Sequence, residues 1–142
     1  MIAVDTNLLV YAHREDSAFH AAALESLTGL AGSGRRWGIP WPCVHEFISI
    51  TTHPRIYDPP TPLKVALAAM QVWLEAPGCE LLAEGPGYWE TLKSLSLKAK
   101  LQGPMVHDAR IAALCLHHGV TELWSADRDF SRFPAVKTRN PL

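Results

Sequence analysis

The chain has 142 residues, 48% of them hydrophobic and 19% charged, and carries a formal net charge of −1. That length suits a single domain over residues 1–142 with one core, and the composition excludes a disordered chain. No apolar run approaches the ~20 residues that span a bilayer, and the start lacks a basic segment followed by an apolar one, so the expectation is a cytoplasmic protein whose mature chain begins near Met1. Cys43, Cys79 and Cys115 are odd in number and widely spaced, which argues against a disulfide framework and for small buried hydrophobes.

In chain order, Ile2–Val4 reads as a short buried strand, Asn7–His13 as a helical turn, and Ala18–Leu30 as a helix with Phe19, Ala22, Ala23, Leu27 and Leu30 at helical spacing. Gly29, Gly32 and Gly34 stop that helix; no Lys-Ser/Thr follows them to make a phosphate loop. Arg36–Trp41 contains a second strand, and Pro42 suits the opening turn of a helix over Pro42–Thr52. Proline excludes His53 from the α region, and the proline-rich stretch 54–62 predicts an ordered loop or clamp. Leu63–Glu75 is helical, Cys79–Ala83 a strand, and Tyr88–Leu101 and Met105–His118 are helices separated by Gly103-Pro104. Glu122–Ser125 is a fourth strand and Val136–Thr138 a candidate fifth. Strands alternating with helices predict an α/β fold: a mostly parallel central sheet of four to five strands with helices on both faces.

Charge is unevenly spread. Residues 1–90 hold ten acids and five Lys/Arg, whereas residues 91–142 hold four acids and eight Lys/Arg. Three of those late acids, Asp108, Asp127 and Asp129, are site candidates. Apart from them the last third is basic, a combination suited to a phosphodiester held near a cation, although a solvated helix face is the better account of Lys93, Lys98 and Lys100.

Asp5 closes the first strand and so stands at the carboxyl edge of the sheet, where such folds bind ligands. The helix beginning at Asp108 descends roughly 16 Å over about eleven residues, and the next strand climbs a similar distance. Asp108 and Asp127 are therefore expected at the level of Asp5, and Glu46, within about one turn of a helix start, obeys the same rule. Four carboxylates that close together require raised pKa values or a bound cation, and a hard divalent ion, Mg²⁺ or Mn²⁺, suits oxygen-only ligands. Each acid alone reads as readily as a helix cap or a turn residue. Other chemistries find less support: His45-Glu46 has Ser49 where a zinc protease needs His, and there is no Gly-x-Ser-x-Gly elbow.

The sequence resembles PIN domains, in particular the VapC-type toxins of type II toxin–antitoxin pairs. The resemblance is carried by Val4-Asp5-Thr6-Asn7-Leu8-Leu9-Val10-Tyr11-Ala12, by Glu46, by His107-Asp108-Ala109-Arg110-Ile111-Ala112-Ala113, and by Ser125-Ala126-Asp127-Arg128-Asp129-Phe130. Thr52–Tyr57 with its prolines is similar to one branch of these toxins, and the likeness runs from Met1 to about Phe133. It implies a three-layer PIN-like fold and an Mg²⁺- or Mn²⁺-dependent endoribonuclease, forming a homodimer and silenced by a small cognate antitoxin. It further implies Asp5 and Asp108 as metal ligands, Glu46 and Asp127 completing the quartet, and supporting places for Asn7, Ser125 and Asp129.

A divalent ion acidifies water, a carboxylate such as Glu46 or Asp127 accepts the proton, and cations offset charge developing on phosphorus. Arg55, Arg110 and Arg128 are candidates for phosphate contact or, equally, for surface ion pairs. Tyr57 and Trp41 have the chemistry to stack on an unpaired base, or to be buried aromatics. Two rivals remain at this stage. A phosphatase using Asp5 as nucleophile wants an acid where Asn7 stands, and a receiver-like regulatory module wants a lysine near the pocket, for which only Lys137 is available.

Overall fold

A computed structural model describes all 142 residues. β1 is Ile2–Val4, α1 Thr6–His13, α2 His20–Ala31, β2 Trp37–Pro40, α3 Trp41–Thr51, α4 Leu63–Leu74, β3 Cys79–Leu82, α5 Tyr88–Ala99, α6 Met105–His117, β4 Glu122–Trp124 and β5 Thr138–Arg139, with a 3₁₀ turn at Arg128–Arg132 before β5. The five strands form one sheet in the order β3-β2-β1-β4-β5, and every pairing is parallel. The expected α/β architecture is present with all five strands. No helix is long and apolar enough to cross a membrane.

Strand order explains the layering. From β1 the chain steps outward to β2 and then to β3; from β3 it crosses back past β1 to β4. Right-handed crossovers therefore carry α1 to α4 over one face and α5 to α6 over the other. β1 and β2 lie inside the sheet with helices over both of its faces and read as continuous apolar runs for that reason. The core around them includes Ala3, Val4, Trp37 and Ile39 from the strands, Leu8 and Leu9 from α1, Phe47 from α3, and Ile111 and Ala112 from α6. Trp37 is fully buried, and its indole N–H donates to the Pro77 carbonyl at 2.9 Å, so its one polar atom is satisfied. Gly78 opens β3 at φ +75°, and a Cβ there would meet the Arg35 carbonyl oxygen, which requires glycine at this crossing.

Local differences from the sequence expectation have identifiable causes. Trp41 already belongs to α3, because Pro40 provides an extended N-cap and Pro42 sits inside the first turn, where its missing N–H costs nothing. α2 starts at His20 rather than at residue 18, since Ser17 makes a local turn in which its hydroxyl accepts from the Phe19 N–H at 3.1 Å. β5 lies at Thr138–Arg139, displaced by the turn that buries Phe133 and Val136. The loop over residues 54–62 is held as a clamp: Arg14, just past α1, donates to the Pro59 carbonyl at 3.0 Å and to Thr61 Oγ1 at 3.3 Å, and forms a fork with Asp16 at 2.6 and 2.9 Å.

Candidate active site

In the sheet order the chain runs outward from β1 in one direction and returns to β4 on its other side, so a crevice opens at their carboxyl ends. Asp5 stands at that point. The β1–β4 ladder pairs Val4 with Trp124 and continues one residue further, with the Asp5 N–H donating to the Trp124 carbonyl at 2.9 Å. Asp5 thus lies beside Ser125, whose hydroxyl donates to Asp5 Oδ2 at 2.7 Å. The Thr6 N–H donates to Asp5 Oδ1 at 2.8 Å, and Asn7 Nδ2 donates to Oδ2 at 3.3 Å. Capping and a place in the crevice are not alternatives for this residue: Asp5 is the N-cap of α1 and also lines the cleft.

The cleft has a volume of about 320 Å³. Its acidic end contains Asp5, Glu46, Asp108 and Asp127, and its other wall is formed by Val10, Tyr11, Ile50 and Tyr57. Glu46 projects from the second turn of α3 and accepts a 2.6 Å hydrogen bond from the Thr6 hydroxyl. Asp108 lies in the first turn of α6, and Asp127 caps the 3₁₀ turn by accepting from the Asp129 N–H at 2.8 Å. Four chain segments therefore supply the acids, as the descending helix and ascending strand require. The carboxylates of Asp108, Asp127 and Asp129 offer oxygens that all lie within 4.8 Å of one another. Sequence reasoning gave Asp129 only a supporting place; the 3₁₀ turn, invisible as an apolar pattern, folds it back toward Asp108 and Asp127.

Asp5 is 4% exposed, and that burial decides its electrostatics. Desolvation pushes its carboxyl up to about 6; the Ser125 and Thr6 hydrogen bonds pull the other way, and the charges of Glu46 and Asp127 add to the rise. Asp108 is also raised, first by burial and then by Asp127, Asp129 and Glu46, with Arg132 opposing. None of Asp5, Glu46, Asp108 or Asp127 forms an ion pair with a lysine, arginine or histidine. Uncompensated acids with oxygen-only donors fit a hard divalent cation, and no cysteine or histidine among the cleft residues favours a softer metal.

The remaining candidates separate. Asn7 accepts from the Ala126 N–H at 3.2 Å through Oδ1 and lies 3.5 Å from Ser125 Oγ through Nδ2, so it ties α1 to the β4 exit. Ser125 also accepts from the Asp127 N–H at 2.9 Å. Arg110 is turned away to pair with Glu84 at 3.3 Å, whereas Arg55 and Arg128 are exposed and form no ion pair. Tyr57 lines the cleft; Trp41 stacks against His45 with ring centroids 6.0 Å apart and does not. Lys137 pairs with Glu122 at 3.6 Å and no lysine lines the cleft, which removes the receiver-like arrangement. The place where an aspartyl-nucleophile phosphatase wants a second acid holds Asn7, whose amide oxygen is engaged by the Ala126 N–H.

Two contributors escaped the sequence reading. Thr6 entered only as one residue of the Val4–Ala12 motif, with no role of its own, yet its hydroxyl fixes Glu46. Cys43, buried on α3, directs its thiol at Asp5 Oδ1 across 3.7 Å, and burial followed by the Asp5 charge pushes that thiol well up. No local signal marks either one, because both contacts are made across the fold.

A model of the PIN domain family matches residues 2–136. The chain belongs to the PIN-domain family. Within it, the chain is 36% identical over 142 residues to the VapC ribonuclease Mb2897 of Mycobacterium bovis, covering 100% of this chain and 96% of that protein. The PIN fold is matched in the crystal structure of VapBC2 from Rickettsia felis bound to a DNA fragment from their promoter, with TM-score 0.72, 16% identity and coverage of 99% and 98% of the two chains. It is matched again in VapC20 of Mycobacterium tuberculosis, described as a sarcin-ricin loop cleaving toxin, with TM-score 0.63, 18% identity and coverage of 92% and 93%. These PIN-domain relatives agree with the resemblance read from the four acidic motifs.

Proposed function

We propose that this PIN domain, one unit over residues 1–142, is a divalent-metal-dependent endoribonuclease and the toxin of a toxin–antitoxin pair, acting in the cytoplasm under the restraint of a cognate antitoxin. The observation that carries the reading is the convergence of Asp5, Glu46, Asp108 and Asp127 on one cleft with no basic side chain paired to any of them. Support for the partnership comes from the VapC relatives and the VapBC assembly. α4 adds to it with exposed apolar residues on two sides, Leu63 and Leu67 on one and Val65 and Val72 on the other, surface of the kind that protein partners cover.

Asp5 and Asp108 would hold the ion, Mg²⁺ or Mn²⁺, with Asp127 and Glu46 completing the set and Asp129 offering an oxygen within 4.8 Å of those of Asp108 and Asp127. When bound, the ion supplies charge neutralisation at the phosphate and acidifies water. The chain's own groups do the rest. Ser125, Thr6 and Asn7 hold the Asp5 carboxylate in a fixed orientation, and Thr6 holds Glu46. Glu46 or Asp127, whichever carboxylate faces the attacking water, accepts its proton. Arg128 and Arg55, exposed and unpaired, are the cations left to meet phosphate oxygens of the incoming strand; Arg110 is already engaged by Glu84.

Purified chain, free of partner, should cut RNA when Mg²⁺ or Mn²⁺ is supplied and stop when a chelator is added. Asp5→Ala and Asp108→Ala should each reduce cleavage by ~10³-fold or more, the scale of losing a group that stabilises the transition state. Variants that cut as fast as the parent would sink the assignment.

A further inference from the structure

The acids account for one half of the cleft only. Buried Val10 and the half-buried Tyr11, Ile50 and Tyr57 form an apolar wall beside a cluster of carboxylates, a surface that offers a flat aromatic contact next to an ion-binding end. Tyr57 belongs to the clamp loop rather than to a helix or strand, and its ring is fixed from behind. The Arg14 guanidinium lies 4.1 Å from the ring centroid and is itself locked by Asp16, the Pro59 carbonyl and Thr61. A cation on one face immobilises the ring and leaves the rest of the side chain to line the cleft. A volume of about 320 Å³ is of the order of one nucleotide, not of a base-paired helix.

Resting on the nuclease reading, we propose that Tyr57 is the base-contacting residue of the cleft: one unpaired base adjoining the phosphodiester at the acids stacks on its ring, and Arg14 is the positioning residue that sets that ring. The phosphate then lies toward Asp5, Asp108 and Asp127, and the base toward Ile50 and Tyr57. A protein side chain is the other occupant that an apolar wall would accept. It is disfavoured here because the wall is continuous with the acids, where a nucleotide presents its phosphate to a cation-loaded site and its flat face to an aromatic.

The test is an equilibrium binding cycle with the full chain in Ca²⁺, a cation that takes the same oxygen ligands, using a fluorescein-labelled RNA hexanucleotide. One abasic residue is stepped along the hexanucleotide, and gel analysis confirms that it stays intact. The parent chain should show one position at which removing the base weakens binding about tenfold, the lower part of the range for base–aromatic stacking. That sensitivity should disappear in Tyr57→Leu, persist in Tyr57→Phe, and shrink in Arg14→Gln, with matching thermal melts to show that each variant is folded. No sensitive position, no binding of the hexanucleotide, or unchanged sensitivity in Tyr57→Leu overturns the proposal, the second result pointing to a protein side chain as the occupant. Failure of the nuclease reading shows separately, as absence of Mg²⁺- or Mn²⁺-dependent cleavage by the parent.

Discussion

Replacing Asp5 by Asn should make the metal-free protein more stable while abolishing cleavage. Burial raises the Asp5 carboxyl from 3.8 to about 6, so the folded state binds that proton more tightly than the unfolded chain does. A raised acid adds stability below its unfolded value and loses it as pH climbs through the folded one. Above about pH 6 the native chain therefore carries a buried charge costing ~3 kcal/mol, from about two units at 1.36 kcal/mol each. Asn removes the charge and still accepts from the Thr6 N–H, but it places an amide where Ser125 and Asn7 now donate, returning ~1 kcal/mol. The net gain is ~2 kcal/mol at pH 7.5, or about 6 °C in Tm for a chain of this size. Urea or thermal unfolding in a chelator should show it at pH 7.5 and show little of it at pH 4. Added Mg²⁺ should narrow the gap, since only the parent has the full ligand set to be stabilised by binding. A variant no more stable than the parent at pH 7.5, or equally favoured at both pH values, would refute the assignment of a buried ionised Asp5.

Two further outcomes follow from the hydrogen bonds and ion pairs. Thr6→Val removes the 2.6 Å bond to Glu46 and should lower kcat by ~10-fold with little change in melting temperature, whereas Thr6→Ser should restore most of the rate in the same cleavage assay. Arg128→Gln should raise KM for RNA a few-fold and flatten its salt dependence, while Arg110→Gln, which breaks only the exposed pair with Glu84, should leave both near the parent values.

Much of the architecture was legible because the fold is made of short apolar segments separated by strong punctuation. Ile2–Val4 is followed directly by a capping acid, and Gly103-Pro104 divides α5 from α6, so strand and helix lengths alone returned Asp108 and Asp127 to the level of Asp5. What stayed hidden depends on contacts between distant segments. The Thr6–Glu46 bond spans 40 positions and the Asn7–Ser125 approach 118, and neither leaves a periodic trace. Arg110 resembled a phosphate contact by its place after Asp108, but two residues further along a helix point to a different side, and Glu84 claims it there. Asp129 was undervalued for the opposite reason: a 3₁₀ turn of five residues carries no amphipathic signature, yet it brings this acid back beside Asp127.

The central position of β1 has a consequence for how the molecule is made. Asp5 leaves the ribosome 120 residues before Ser125, its partner across the crevice, and Asp127 follows two residues later. No nascent chain that stops before Asp127 contains the whole cleft, because β4 and the acid that follows it have yet to join the sheet. A product that stops before Asp127 lacks one acid of the site, so the cleft becomes whole in a single late step of assembly, when β4 docks beside β1.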